Sequence, residues 1–409
     1  MDQDIVILRD LAKRYLEAAT KPIQEERRNL WRKHNSFKRP KPLIYVRAFA
    51  WAEMPARQYQ CQDPFFRHYE DFFRQGLFRD TFGDDYILEP WVTVNAALVT
   101  PPGGLWGLAV PWSERTEPTG SRVWDPPLKE PEDFAKMVEP HHVVNEEETA
   151  RRAARLQDAI GDIITISIDR APAYRSWGGD ISTHLAYLRG LEQIMWDMMD
   201  RPDWLHEVLA FMRDGIIRAQ EEAERAGDWR LCDHENQCLS YAEELADPAP
   251  ASAPVRRGDL WYFSASQETT LVGPKLWNEF MFQYQAEIMR HFGLVSYGCC
   301  EDLTYKIPYI MALPNIRRIA VALTADVRKC AEQIGTDRIF SYRPSPADMV
   351  SYGWDPERVR RILRQSFSYC KDLHVDVTLK DVETVQGDPD RVRNWVAVTR
   401  EVIDEFWPE

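Results

Sequence analysis

The sequence has no apolar run near the roughly 18 residues that a membrane-spanning helix requires. It also lacks a basic excess, because 51 Lys and Arg face 65 Asp and Glu, which gives a net charge of -14. General nucleic-acid binders carry the opposite balance, so that class is not expected. The start, MDQDIVILRDLAKRYLEAA, has neither the apolar core nor the cleavage site of a signal peptide. These absences predict a cytoplasmic protein without nucleic-acid or membrane partners.

Two further patterns are missing. The seven cysteines are scattered without the spacing of a disulfide scaffold, which fits a reducing compartment. No glycine-rich phosphate loop follows any predicted strand, and this disfavours the alternative of a doubly wound, dinucleotide-binding sheet. What the chain does have is apolar material: it is 44% hydrophobic and contains 15 Trp. A sizeable core is therefore expected.

The second half of the chain alternates strand-like and helix-like segments. Each apolar run is followed by a helical pattern, and several of these helices begin with Asp or Pro. Five such units in a row imply parallel strands joined by helical crossovers. The predicted strands of this half are residues 260–268, 294–299, 317–324, 338–342 and 375–379.

The first half offers three more strand candidates, at residues 42–48, 87–99 and 163–168. Eight parallel strands with helices between them predict an α/β fold, specifically a (β/α)8 TIM barrel. We assign the barrel to residues 41–409 and a helical extension to residues 1–40. In such a barrel the carboxyl ends of the strands form the active face.

The stretch SYGCCEDL, residues 296–303, places two thiols and two carboxylates at one predicted strand end. Catalytic zinc sites take three protein ligands and leave one position open, and thiolates, imidazoles and carboxylates all serve. We therefore predict a metal site with Cys299 and Cys300 as ligands and His234 or Glu268 as the third. A cysteine is also often a small buried apolar residue, and this reading of Cys300 stays open.

Other polar side chains follow the remaining strands and are expected to meet at the same face. Lys380 and Arg343 either hold an anionic substrate group or form buried ion pairs with Asp381 and Asp326. The predicted catalytic residues are Tyr297, Glu301, Arg343 and Lys380, and the predicted substrate contacts are Arg47, Asp169, Trp177, Gln267 and Asp326.

Several of these motifs together resemble a known superfamily. The segments are LWYFSASQE, HFGLVSYGCCEDL, NIRRIAVA, IFSYRPSPADM and VDVTLKDVETVQGDPDRVRNW. They resemble the uroporphyrinogen decarboxylase-like superfamily, in its poorly characterised branch, and the resemblance is best over residues 200–409. It implies a (β/α)8 barrel. It also implies one of two chemistries: cofactor-free decarboxylation of uroporphyrinogen acetate arms, or zinc-dependent methyl transfer between a corrinoid and a thiol or other acceptor.

The chain departs from both patterns. The decarboxylases carry an arginine-rich loop after the first strand, whereas YVRAFAWAEM offers only Arg47. A substrate with many carboxylates needs several bidentate arginines, so a true uroporphyrinogen decarboxylase is not expected. The methyltransferases use a His-x-Cys pair and a later cysteine. Here YGC has Tyr297 in the histidine position and keeps Cys299, and residues 379–381 contain no cysteine.

The preferred hypothesis is a metal-dependent methyltransferase that uses zinc and moves a methyl group between a corrinoid and a small substrate. The first alternative is a metal-free decarboxylase or lyase that acts on a carboxylated substrate through Arg47, Arg343 and Asp169. The second is a non-catalytic barrel that binds a tetrapyrrole or corrinoid. A corrinoid protein is a predicted partner, and the basic stretch at residues 26–41 is its docking candidate. The family also suggests a homodimer.

Overall fold

The computed structural model describes residues 2–38, 41–117, 120–231 and 238–408. Within these ranges eight strands fall on the eight predicted segments. They are β1 Leu43–Val46, β2 Trp91–Asn95, β3 Thr165–Asp169, β4 Trp261–Ser264, β5 Leu294–Tyr297, β6 Ile316–Val321, β7 Ile339–Tyr342 and β8 His374–Leu379.

Helices fill the connections between these strands. The first seven are α1 Gln3–Ala19, α2 Pro22–Asn35, α3 Pro64–Arg79, α4 Glu146–Ile160, α5 Ile181–Arg189, α6 Leu191–Asp200 and α7 Pro202–Ala226. The others are α8 Pro274–Trp277, α9 Gln283–Met289, α10 Ile307–Met311, α11 Val327–Ile334, α12 Pro356–Cys370 and α13 Arg391–Phe406. A π-helical turn, Asn278–Phe282, joins α8 to α9. No helix of the described ranges is both long and apolar enough to cross a membrane.

The strands form two parallel sheets. Six strands lie in the order β1-β8-β7-β6-β5-β4, which makes a curled half-barrel, and β2 pairs with β3 alone. From β4 to β8 each strand lies beside the next strand of the chain, which fits parallel strands joined by helical crossovers. The mixed α/β fold is confirmed. A closed eight-stranded barrel is not, because the described strands form no ladder between β1 and β2 or between β3 and β4.

The interruption beside β1 has a specific cause. The amides of Ile44 and Val46 donate to the carboxylates of Asp85 (2.7 Å) and Asp84 (2.8 Å). The Asp85 amide in turn donates to the Ile44 carbonyl at 2.8 Å. These bonds use the edge groups that a neighbouring strand would need. The carboxylates therefore end the six-stranded sheet at β1.

The β2–β3 pair has a core of its own, shared with the first helices. Leu8 and Tyr15 of α1, Phe73 of α3, Val92 of β2 and Leu156 of α4 belong to one buried cluster. The six-stranded sheet packs instead in a larger cluster with α5, α7 and α9 to α13. Because α1 packs against later helices, it lies within the fold. The proposed boundary at residue 40 stays a prediction.

A buried polar group ties the six-stranded sheet to α2. Arg318 of β6 lies 2.9 Å from both carboxylate oxygens of Asp376 of β8, and both side chains are fully buried. Ser341 of β7 donates to the same carboxylate at 2.8 Å, and His34 of α2 lies 3.3 Å from it. Burial alone would raise the pKa of Asp376, but Arg318, His34 and Ser341 hold that pKa below its ordinary value.

The basic stretch at residues 26–41 is largely engaged in ion pairs within the chain. Arg27 pairs with Asp80, Arg28 with Glu89, Arg32 with Asp247, Lys38 with Glu243 and Lys41 with Asp404. Side chains engaged in this way are less available to an acidic partner. The arrangement favours a structural helix at the amino ends of the strands over a docking surface.

We expect Asp376→Asn to lower the free energy of unfolding by about 3–5 kcal/mol, because it leaves the Arg318 charge buried and uncompensated. Urea denaturation measures the loss. Because the pKa of Asp376 is depressed in the folded state, its stabilisation is present above the unfolded-state pKa and lost as the pH falls through the folded-state pKa. The difference between native and variant should therefore shrink in acid.

The matched control is Glu332→Gln, which breaks an exposed pair with Arg328 and should change stability by about 0.5 kcal/mol or less. Equal effects of the two substitutions would contradict the role assigned to Asp376.

Candidate active site

Two cysteines leave the carboxyl end of β5 through a glycine turn. Gly298 has φ 98°, and a Cβ at this position would come within 2.7 Å of Leu303 and 2.9 Å of Ala320. Only glycine fits such a turn without strain. A strand would point successive side chains to opposite faces. The turn instead brings the sulfurs of Cys299 and Cys300 within 3.5 Å of each other.

Lys380, which follows β8, bridges the two sulfurs. Its Nζ lies 2.8 Å from Cys299 Sγ and 3.0 Å from Cys300 Sγ. The same ammonium lies 3.1 Å from the carboxylate of Asp381. The ammonium thus donates hydrogen bonds to both sulfurs and forms an ion pair with Asp381.

This environment separates the two thiols electrostatically. The hydrogen bond from Cys300, with the charges of Lys380 and Arg343, lowers the pKa of Cys299 to about 6 against the opposing effect of burial. The same sulfur–sulfur hydrogen bond raises the pKa of Cys300. These opposite shifts favour Cys299 as the thiolate and Cys300 as the thiol of the pair.

Arg343, which follows β7, donates hydrogen bonds to the turn that carries the cysteines. Its Nη1 donates to the carbonyls of Gly298 (2.8 Å) and Cys299 (2.9 Å). Burial lowers the pKa of Arg343, and the Cys299 charge opposes that effect. The thiolate thus lies near two cations, one from each of two strand ends.

Glu301 and Tyr297 lie beside the thiolate but face inward. Glu301 accepts from the Cys299 amide at 2.7 Å and from the Ser266 amide at 2.9 Å, so it links the loops after β4 and β5. The Tyr297 hydroxyl lies 2.9 Å from Ser266 Oγ and donates to Gln285 at 2.8 Å. Burial, and secondarily Glu301, raises the pKa of Tyr297 well above its ordinary value. Both side chains position the site.

Glu268 belongs to a neighbouring polar group that the sequence did not reveal. Its carboxylate contacts the hydroxyls of Ser182 and Thr183, each at 2.9 Å. Thr183 also contacts Asp180 at 2.7 Å, and burial, aided by Glu268, raises the pKa of Asp180 well above its ordinary value. The available signal was local: Asp180 caps α5 and accepts from the Ser182 amide. Gln267 lies 3.3 Å from Glu268.

Trp177, a predicted substrate contact, packs against the cluster that contains Cys299. It packs against a small buried cluster of Phe263, Ala265 and Cys299, and its ring centroid is 5.1 Å from that of Phe263. The residue lies on a short 3-10 turn, Ser176–Gly179. Trp177 therefore lies, on the loop after β3, against the small cluster that contains Cys299.

The remaining predicted site residues make the following contacts. Asp169 is ion-paired with Arg175 and accepts from the Ala171 amide. Asp326 caps α11 and pairs with Lys329, and the Arg47 amide bonds to the Leu379 carbonyl. His234 lies outside the described residues.

The described residues do not fit a zinc ion at the cysteines. Among them no group of three or more His, Cys, Asp or Glu side chains is arranged to hold a metal. Lys380 Nζ occupies the position between the sulfurs, and backbone amides engage both oxygens of Glu301. Hydroxyl groups engage both oxygens of Glu268. An ammonium stands here where the prediction placed a metal.

Comparison with known proteins identifies the fold but no family. No protein-family model and no curated protein matches the chain. Among solved structures, a methyltransferase from Methanosarcina mazei matches with a TM-score of 0.51 and 11% identity, over 91% of this chain and 97% of that one. At this identity the match demonstrates a common fold.

We expect Lys380→Met to raise the pKa of Cys299 above its native value of about 6. The variant removes one of the charges that stabilise the thiolate. At a pH below the pKa, each unit by which the pKa rises lowers the thiolate fraction about tenfold. The measurement is the pH dependence of iodoacetamide alkylation at Cys299, followed by peptide mass spectrometry.

Lys329→Met is the matched control, since Lys329 pairs with Asp326 and Tyr305 on an exposed surface. A profile that Lys380→Met leaves unchanged would show that the lysine does not stabilise the thiolate.

We also expect Trp177→Ala to speed alkylation of Cys299 several-fold at a fixed pH, because the indole packs against the buried cluster that contains this sulfur. Trp196→Ala removes an exposed tryptophan of α6 and should leave the rate unchanged. If both variants react at the native rate, Trp177 does not limit access.

Proposed function

We propose that this protein is a methyltransferase whose reacting group is the Cys299 thiolate. The observation that carries the proposal is the contact of Cys299 Sγ with Lys380 Nζ at 2.8 Å, beside buried Arg343. A thiolate held between two cations at the carboxyl ends of parallel strands lies where enzymes of barrel-like folds place their chemistry. The name of the Methanosarcina neighbour supports methyl transfer over other thiolate reactions.

The proposed step is a nucleophilic displacement at carbon. A lone pair of the Cys299 sulfur forms a bond to the methyl carbon while the bond from that carbon to the donor breaks. The electron pair of the broken bond stays with the donor, so the thiolate charge is lost as the thioether forms. In onward transfer an acceptor nucleophile attacks the same carbon, and the sulfur leaves as the thiolate that Lys380 and Arg343 stabilise.

The lowered pKa suits this role. A pKa of about 6 makes Cys299 mostly thiolate at neutral pH. Intrinsic nucleophilicity falls as the pKa falls, and the best compromise lies near the ambient pH. Burial behind Trp177 excludes water and strengthens the electrostatic contacts in the site.

The donor proposed is a methyl corrinoid, presented free or by a partner protein. The zinc requirement predicted from the sequence is not part of this proposal, because the described donors do not fit the metal. The homodimer, the lyase and the binding-only barrel also stay predictions. For the lyase, Asp169 is already paired with Arg175, so the arrangement does not favour it as a free acid.

The direct test is methyl transfer to the protein itself. Reduced protein is incubated without oxygen with methylcobalamin, and in a second arm with S-adenosylmethionine, and the peptide containing Cys299 is examined for an added methyl group. We expect methylation in the methylcobalamin arm, its loss in Cys299→Ser, and normal methylation in Cys330→Ser, which changes a buried cysteine of α11.

Two outcomes would overturn the proposal. One is the absence of methyl on Cys299 with both donors while the native fold is intact. The other is stoichiometric zinc by elemental analysis that disappears in a Cys299→Ser, Cys300→Ser double variant, because the thiols would then hold a metal.

A further inference from the structure

Arg343 carries an unused binding edge beside the thiolate. The side chain is only 2% exposed, and Nη1 makes both of its hydrogen bonds. Nε and Nη2 are buried and have no hydrogen-bond partner among the described residues. In a guanidinium group these two nitrogens point their N–H bonds along one side, in the fork that binds two oxygens together.

Neighbouring charges do not fill this edge. Arg343 makes no ion pair with any carboxylate of the described ranges, because Asp376 is held by Arg318 and both oxygens of Glu301 accept from amides. Lys380 donates to the sulfurs of Cys299 and Cys300 and pairs with the carboxylate of Asp381. Of these two cations, Arg343 is the one whose buried nitrogens lack a hydrogen-bond partner among the described residues.

An empty edge of this kind is costly. A buried N–H without a partner loses its hydration and gains nothing in return, and native proteins keep few such groups. Each such group in a native structure calls for an explanation, such as a catalytic role or a bound ion or water. Several arginines of the described ranges have one unpartnered buried nitrogen, whereas Arg343 alone has two. Two unpartnered donors on one buried cation therefore indicate a ligand oxyanion.

The number and geometry of the donors select the ligand class. Two parallel N–H groups with one positive charge match the two oxygens and single charge of a carboxylate. A tetrahedral dianion such as phosphate would bring three or four oxygens and twice the charge, whereas the Lys380 charge is already shared between the Cys299 sulfur and Asp381. The planar monoanion is the better match.

We propose that the Nε–Nη2 edge of Arg343 binds a carboxylate of the substrate and so places the substrate next to Cys299. The inference rests on the proposed function for the identity of the reacting sulfur. It adds the substrate class: a small carboxylic acid that either carries the methyl group or accepts it. Because Arg343 also holds the Cys299 carbonyl, the same side chain fixes the carboxylate and the sulfur-bearing turn together.

Entry to this edge requires that a covering side chain moves, since Nε and Nη2 are closed to solvent. Trp177, which packs against the cluster that contains Cys299, is the side chain we propose as the cover. A carboxylate bound at Arg343 should consequently change both the exposure and the reactivity of the sulfur.

The test compares propionate with propionamide, a neutral ligand of nearly the same shape. Binding is measured by calorimetry on the full-length protein and by slowed iodoacetamide alkylation of Cys299. We expect saturable binding and protection by propionate and none by propionamide. In Arg343→Met we expect the propionate affinity to fall about tenfold or more, since a charged bidentate contact is lost. Arg343→Lys keeps the charge without the fork and should recover only part of the affinity.

Three outcomes decide the matter. Equal binding of propionate and propionamide, or equal propionate affinity in native protein and a folded Arg343→Met variant, would overturn the subsite. Stronger binding of ethanesulfonate than of propionate would replace the carboxylate by a tetrahedral sulfonate. If Arg343→Met fails to fold, the native and Arg343→Lys proteins still decide through propionate against propionamide. Because these readouts need no methyl donor, failure of methyl transfer and failure of the subsite are separable.

Discussion

The contact of the Lys380 ammonium with the sulfurs of Cys299 and Cys300 is the interaction on which the site depends. Lys380 follows β8 and the cysteines follow β5, two strands separated in the sheet by β6 and β7. Their ends approach each other because the six-stranded sheet is curled. The Arg318–Asp376 pair links β6 to β8 within the same sheet. The Arg318–Asp376 pair and the Lys380–Cys299 contact therefore both depend on β8 and on the curvature of the same sheet.

The strands were predictable from the sequence, but the closure of the barrel was not. Apolar runs followed by helix starts identify strands, because each strand must bury its side chains beneath a helical crossover. The last strand, β8, does pair with β1, but whether β1 also pairs with β2 depends on the loop between them. Here the carboxylates of Asp84 and Asp85 occupy the edge of β1. Nothing in the periodicity of the segment around these two residues announces that role.

The sequence indicated several residues of the candidate site, but it did not indicate which of their atoms would be in contact. Cys299, Arg343 and Lys380 were chosen because each directly follows a strand, and the structure brings them together. The sequence does not show that Lys380 contacts two sulfurs and Asp381, because these contacts depend on three-dimensional distances. Asp180 escaped notice because a helix cap and a buried acid look identical in sequence.

Gly298 has a consequence for anyone who redesigns this protein. Because a side chain at this position would collide with Leu303 and Ala320, the turn admits one residue type. Gly298 therefore sets the backbone from which both cysteines project, and a library that varies residues 299 and 300 changes their chemistry while this turn is kept. Variation at residue 298 would instead shift both positions at once, so the glycine is the fixed point around which new activities can be built.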